Sequence, residues 1–291
     1  MRSIPSRTFE GEFGSSLRST ISQPQIESSG ILNFDNLIHI QNVSVVREGN
    51  KILDDVSLLI KKGQHTAILG PNGCGKSTLI KILTRELYPF AGKGMVEICG
   101  REKWIQSELR TLIGVVRPMS YELLGNPTGL EMAISGLIGT IGVMAQHQIT
   151  EQMIEKGHRA LRQVEAEHLA DRTLETMSTG EHRRCFIARA LISNPIGLVL
   201  DEPTTGLDLR ATQEFLNIIQ GLAAQGTTIV MVTHHLPELI PAIQRVILLK
   251  EGRMYADGFR ESTLTSASLT HLFGTEIIYQ ADTGIAVVVS G

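Results

Sequence analysis

Apolar positions follow two rhythms along this chain. Leu37-Ile-His-Ile-Gln-Asn-Val-Ser-Val45 partly alternates, as a half-buried strand should. Ile52-Leu-Asp-Asp-Val-Ser-Leu-Leu-Ile60 returns after Glu48-Gly49-Asn50, which reads as a hairpin turn. Lys61-Lys62-Gly63 turns the chain again. Thr66–Leu69, Met95–Cys99, Ile196–Leu200, Thr227–Thr233 and Val246–Leu249 are short apolar runs that predict further strands, several of them buried on both faces. Helical patterns lie between them. One spans 79–88 and stops at the Gly/Pro-rich break Pro89–Gly94; another spans 180–193 and stops at Asn194-Pro195. Residues 120–176 change character, with an apolar stretch Ala133–Ala145 and then Glu151–Ala170, where charges are interleaved with Met153, Ile154, Leu161, Val164 and Leu169. Strands alternating with helices predict an α/β domain with a mostly parallel, helix-covered sheet. An antiparallel β subdomain precedes it, and a helical subdomain at about 120–185 is inserted. Ile277–Ser290 reads as a final strand pair.

The bulk numbers narrow this picture. With 291 residues, 42% hydrophobic and 20% charged, the chain can bury a sizeable core in one large domain or two small ones. A net charge of −3 and only 4% aromatic residues give no reason to expect nucleic acid as a partner. Cys74, Cys99 and Cys185 are odd in number and far apart, so neither a disulfide framework nor a metal spacing follows, which suits a reducing compartment. Met132–Ala145, the stretch nearest to a membrane span, is too short and broken by Ser, Gly and Thr; it reads as a buried or partner-facing helix. Residues 1–30 are Ser-rich without the apolar core of a secretory signal and read as a disordered tail; Glu10, Glu12 and Glu27 disfavour a transit peptide. The expected organisation is this tail, a domain over 31–273 and an extension over 274–291, soluble by itself.

Candidate chemistry begins at Gly70-Pro71-Asn72-Gly73-Cys74-Gly75-Lys76-Ser77, which fits the phosphate-cradling pattern G-x-x-x-x-G-K-[ST] between a strand and the helix opening at Thr78. The glycines let backbone N–H groups aim inward, and the helix start faces the phosphates. Lys76 can reach the β- and γ-phosphates, and the Ser77 hydroxyl can ligate Mg²⁺. Cys74 reads as a small residue, with a nucleotide-blocking thiol as the minority reading. Asp201, at the end of an apolar strand, can hold Mg²⁺, and Glu202 can polarise the attacking water. Met177-Ser-Thr-Gly-Glu181 opens a helix with Ser178 as N-cap and Gly180 leaving room for an anion. His234 ends a strand where it can contact a γ-phosphate; His235 is its chemical equal, separable only by its side of the strand.

These pieces resemble, in order, those of ATP-binding-cassette (ABC) ATPase subunits, over about Leu37 to Phe273. Gly70–Ser77 resembles the Walker A motif, Gly197–Asp201 with Glu202 the Walker B motif and catalytic glutamate, and Met177–Glu181 the signature Leu-Ser-Gly-Gly-Gln. Thr204-Thr-Gly-Leu-Asp208 resembles the D-loop, and Thr233-His234 the switch-histidine loop. The resemblance implies a P-loop NTPase fold, ATP and Mg²⁺ as ligands, and a head-to-tail dimer. Each ATP would touch Walker A of one copy and Ser178 and Gly180 of the other, with Asp208 linking the two sites. It also implies a cytoplasmic, peripheral ATPase subunit working with separate permease subunits, received in a groove near residues 117–135. Three departures stand out: Thr179 and Glu181 in the signature, Pro118 where a glutamine is expected, and Arg47 where many cassettes stack a tyrosine on adenine. Arg47 and the missing glutamine resemble the iron-chelate-type subgroup. The rival readings are a soluble ABC ATPase acting on ribosomes or DNA, and a nucleotide-binding regulator with little turnover.

Overall fold

A computed structural model of the chain describes residues 34–89, 94–117, 126–140, 142 and 147–289. The tail 1–30 and Pro118 lie outside these residues, as do parts of the apolar stretch 132–145 and of the groove segment 117–135. β1 (Asn36–Arg47) and β2 (Asn50–Lys61) form an antiparallel hairpin, and β1 also pairs with β4 (Met95–Ile98). The hairpin turns through Glu48 and Gly49, with φ values of 51 and 80, the left-handed pairing that matches strand twist in two-residue loops.

Among the described residues the main sheet has the order β5 (Ile113–Val116), β6 (Gly197–Asp201), β7 (Thr228–Thr233), β3 (Thr66–Leu69), β8 (Arg245–Lys250) and β9 (Arg253–Phe259). The pairings are parallel except for the β8–β9 edge. β3, β6 and β7 are buried along their whole length, as their continuous apolar runs predict. Successive side chains serve opposite faces: Ala67 and Leu69 join one core with Leu198, Leu200 and Met231, while Ile68 joins the other with Val199, Val230 and Ile247. The first core takes in α3 (Gly129–Ile138), α4 (Glu151–Gln163), α5 (Thr179–Leu191) and α6 (Leu209–Ala224); the second takes in the β1–β2 hairpin and α1 (Lys76–Leu83). Parallel pairing sets Leu69 opposite Thr233, and Asp201 opposite Val232. The phosphate loop, the acidic pair and the histidine pair thus share one sheet edge, at the carboxyl ends of the strands.

Several boundaries differ from expectation. α1 starts at Lys76 and ends at Leu83 instead of spanning 79–88: Arg85 takes a φ of 56, and the N–H groups of Glu86 and Leu87 both return to the Lys81 carbonyl. α3 stops at Ile138 because Gly139 caps it with a φ of 80, so the run 133–145 is not one helix. α4 ends at Gln163, and Glu167–Leu169 is a separate 3₁₀ turn. α2 (Gln106–Leu112) and β9 were not apparent in the apolar pattern; Leu109 is the buried residue of α2, and β9 shows its alternation in exposure more than in residue type. α7 (Arg260–Thr263) and α8 (Ser266–Phe273) lead to the expected strand pair, β10 (Ile277–Gln280) and β11 (Ile285–Val288). No helix of the described residues is long and apolar enough to cross a membrane.

Candidate active site

The phosphate loop is shaped by what its backbone cannot accommodate. A Cβ on Gly70 would lie 2.3 Å from the Leu249 carbonyl oxygen and 2.5 Å from Cys74 Sγ, so this position requires glycine for close approach. Gly75 caps α1 with a φ of 107, in the region that only glycine adopts freely. The helix therefore begins with no capping side chain in the way of an anion. Cys74 is buried beneath the loop, and burial pushes its thiol up.

A cavity of about 420 Å³ opens above the loop, lined by Ile52, Asn72, Gly73, Gly75, Lys76, Ser77, Thr78, Glu202, Thr205 and His234. Lys76 is only 5% exposed, and its Nζ donates to the carbonyl oxygens of Gly70 at 2.8 Å and Pro71 at 3.1 Å. The same ammonium lies 3.4 Å from Oε1 of Glu202. Glu202 sits just past β6 in a left-handed conformation, φ 45, held by its N–H bonding to the Val232 carbonyl. Its Oε2 is 2.6 Å from His234 Nδ1, yet neither atom has an aligned hydrogen bond, so this is a close approach and not a bond. The structure separates the two histidines: His234 lines the cavity, whereas His235 does not and is exposed. Asp201 is buried at the end of β6, and burial raises its carboxyl above the usual range despite the nearby charges of Arg117 and Lys76.

Other predicted residues lie elsewhere. Ser178, Gly180 and Asp208 line a different cavity, where the starts of α5 and α6 meet. Ser178 accepts from the Glu181 N–H, and the Glu181 carboxylate accepts from the Ser178 N–H, forming a capping box. Glu181 also pairs with Arg172 at 2.8 Å. Burial would raise the Glu181 carboxyl, but the Ser178 hydrogen bonds and the Arg172 guanidinium hold it below its ordinary value. Its charge is therefore engaged within its own copy. Asp208 caps α6, accepting from the Ala211 N–H at 2.7 Å. Arg47 is exposed beside Glu48 and does not line the phosphate cavity.

Sequence reasoning missed several contributors. Ile52 and Thr205 line the phosphate cavity. Buried Arg183 donates to the carbonyls of Thr205 at 3.0 Å and Arg117 at 3.4 Å, and Thr204 hydrogen-bonds to buried Glu238. Arg117 also forks onto both Glu86 carboxylate oxygens at 2.8 Å. The sequence around Arg117 and Arg183 gives no signal of which carbonyls or carboxylates they hold.

A phosphate loop on a parallel sheet, with an acidic pair at the neighbouring strand end, defines a P-loop nucleoside triphosphatase. The family model of the ABC transporter matches residues 53–205, and the chain belongs to that family as an ATP-binding, ATP-hydrolysing subunit. It is 33% identical over 247 residues to the ABC transporter ATP-binding protein YlmA of Bacillus subtilis, covering 83% of this chain and 92% of that one. It is 32% identical over 251 residues to the hemin import ATP-binding protein HmuV of Aliivibrio fischeri, covering 84% and 93%. It also matches the ATP-binding cassette MJ0796, solved as a dimer in a post-hydrolysis state bound to ADP and Pi, with a TM-score of 0.63 and 28% identity, over 76% of this chain and 98% of that one.

Proposed function

We propose that this subunit hydrolyses ATP between two head-to-tail copies and drives permease subunits from the cytoplasmic face of a membrane. The observation that carries the reading is the separation of Lys76 from Ser178: each lines its own cavity, so an ATP on one phosphate loop needs a second copy to supply the helix start at Ser178 and Gly180. Lys76 and the loop N–H groups bind phosphate. His234 senses the γ-phosphate, and Glu202 takes a proton from the attacking water. The donor set fits Mg²⁺: the Ser77 hydroxyl in the cavity and the Asp201 carboxylate, whose burial already disfavours an uncompensated charge, are hard oxygen ligands. Bound there, Mg²⁺ would neutralise developing phosphate charge. The capping role of Glu181 removes one reason to expect a low-turnover regulator, since its carboxylate is held away from free interaction with phosphate.

The groove lined by Glu86, Arg110, Arg117, Gly136 and Arg189, between the helical insertion and the sheet, is where the permease would dock. The relative named for hemin import supports a metal-chelate importer as the transport class. The test is phosphate release and copy number with MgATP, together with co-purification from membranes. An ATP-dependent dimer that turns over and travels with an integral membrane protein is expected; a strictly monomeric chain under saturating MgATP overturns the sandwich.

A further inference from the structure

The catalytic corner also carries a metal-ligating set of a different character. Glu202, His234 and His235 each present a ligand atom, and these atoms lie within 4.8 Å of one another. Two of the three are left unsatisfied by the fold: Glu202 Oε2 and His234 Nδ1 are buried, 2.6 Å apart and without an aligned hydrogen bond. Two facing polar atoms in that state are poorly settled, and a cation shared between them, with the His234 proton on Nε2, would satisfy both. The third ring, His235, stands with its centroid 3.7 Å from that of His234, tilted by 42°. Ligands about 2.1 Å from a zinc ion in tetrahedral array are about 3.4 Å apart, so small side-chain rotations bring the three atoms to bonding distance.

We propose that, without nucleotide, Glu202, His234 and His235 form a site for a borderline transition-metal cation of the zinc class. Two imidazoles and one carboxylate are a zinc donor set, whereas Mg²⁺ prefers oxygen ligands and keeps its waters. The fourth position opens to the phosphate cavity and takes water. Lys76 is the adverse charge nearby, but its ammonium bonds to the Gly70 and Pro71 carbonyls and faces the other oxygen of Glu202, Oε1. A bound zinc ion occupies the carboxylate and imidazole assigned above to water and γ-phosphate. Metal and MgATP therefore exclude one another, and occupancy is inhibitory. The binding claim stands on its own; the inhibition claim rests on the proposed ATPase roles.

The experiment titrates tag-free, nucleotide-free full-length protein with Zn²⁺ against a competing chromophoric chelator, and records the visible spectrum with Co²⁺. One tight equivalent and a Co²⁺ spectrum of low coordination number are expected. His235→Ala should weaken Zn²⁺ about tenfold or more, as loss of a ligand costs at least as much as loss of its supporting shell. His235 does not line the phosphate cavity, so this variant should keep its ATPase activity. Glu202→Gln is the second variant and should weaken Zn²⁺ similarly while still binding ATP. Equal zinc affinity in wild type and His235→Ala overturns the site. In a second arm, Zn²⁺ should inhibit wild-type phosphate release at concentrations that leave His235→Ala running. Tight zinc binding with no turnover in zinc-free MgATP would sink the ATPase roles and leave the metal site standing.

Discussion

Lys76 and Glu202 meet across the floor of the phosphate cavity, with Nζ 3.4 Å from Oε1. The cation proposed to grip phosphate thus already holds the carboxylate proposed to activate water. On the proposed roles, entry of a triphosphate would give Lys76 a stronger anionic partner and free Glu202 to face the attacking water. Glu202→Gln should then bind ATP, lose hydrolysis and accumulate as the ATP-bound dimer by size-exclusion chromatography. Unchanged phosphate release in this variant would remove Glu202 from the general-base role.

Lys76→Ala deletes the buried ammonium proposed to contact the transferring phosphoryl group. Its ATP binding or hydrolysis should fall by about 3 kcal/mol or more, a hundredfold or greater loss in kcat/KM. Wild-type kinetics would show that phosphate is held elsewhere.

At the start of α5 the cap, Ser178, is also the residue proposed to donate across the dimer. Ser178→Ala should lower stability by about 1 kcal/mol, a fall of roughly 2–4 °C in Tm for a chain of this size, and should also abolish ATP-driven dimerisation. Glu181 separates the two effects. Its carboxyl is depressed, so its contribution is fully present above the unfolded carboxylate pKa and disappears as pH falls through the lower folded value. Glu181→Gln should remove that acid dependence from thermal melts while leaving turnover at neutral pH; a collapse of turnover would mean that the charge itself is needed.

Asp201 has the opposite sign. Burial raises its carboxyl, so the charged form costs stability above the raised pKa, and protonation relieves that cost as pH falls. Asp201→Asn should therefore raise the Tm of the nucleotide-free protein at pH 7 while losing Mg²⁺-dependent hydrolysis. A lowered Tm would mean that the nearby Arg117 charge outweighs burial.

The thiols should be inert in the folded protein. Burial pushes Cys99 and Cys185 up to about 12 and raises Cys74 as well. Since the thiolate is the reactive form, alkylation at pH 8 should be slow until denaturant is added. This weighs against an oxidation switch at Cys74, and rapid native-state labelling there, protected by ATP, would restore it.

Much of the fold was legible because its central strands announce themselves: Thr66–Leu69, Gly197–Asp201 and Thr228–Thr233 are buried on both faces and so had to be continuous apolar runs. Ser178 was legible as a cap because capping is local chemistry. The end of α1 was not, since it depends on Arg85 turning left-handed after an otherwise helical sequence. His234 and His235 could be told apart only by which side of the strand end faces the cavity. Arg117, Arg183 and Glu238 were invisible because their partners are carbonyls and side chains brought close by tertiary packing. Arg47 was read from resemblance alone, and the structure leaves it beside Glu48, outside the phosphate cavity.

The left-handed backbone at Glu202 bears on how this chain can be improved. A non-glycine residue held there carries strain of order 1–3 kcal/mol. Glycine at 202 would relax it, at the expense of the carboxylate proposed to activate water. Directed evolution for heat tolerance alone would therefore drift toward inactive sequences at this corner, and the hardiest descendant of this protein would be one that no longer works.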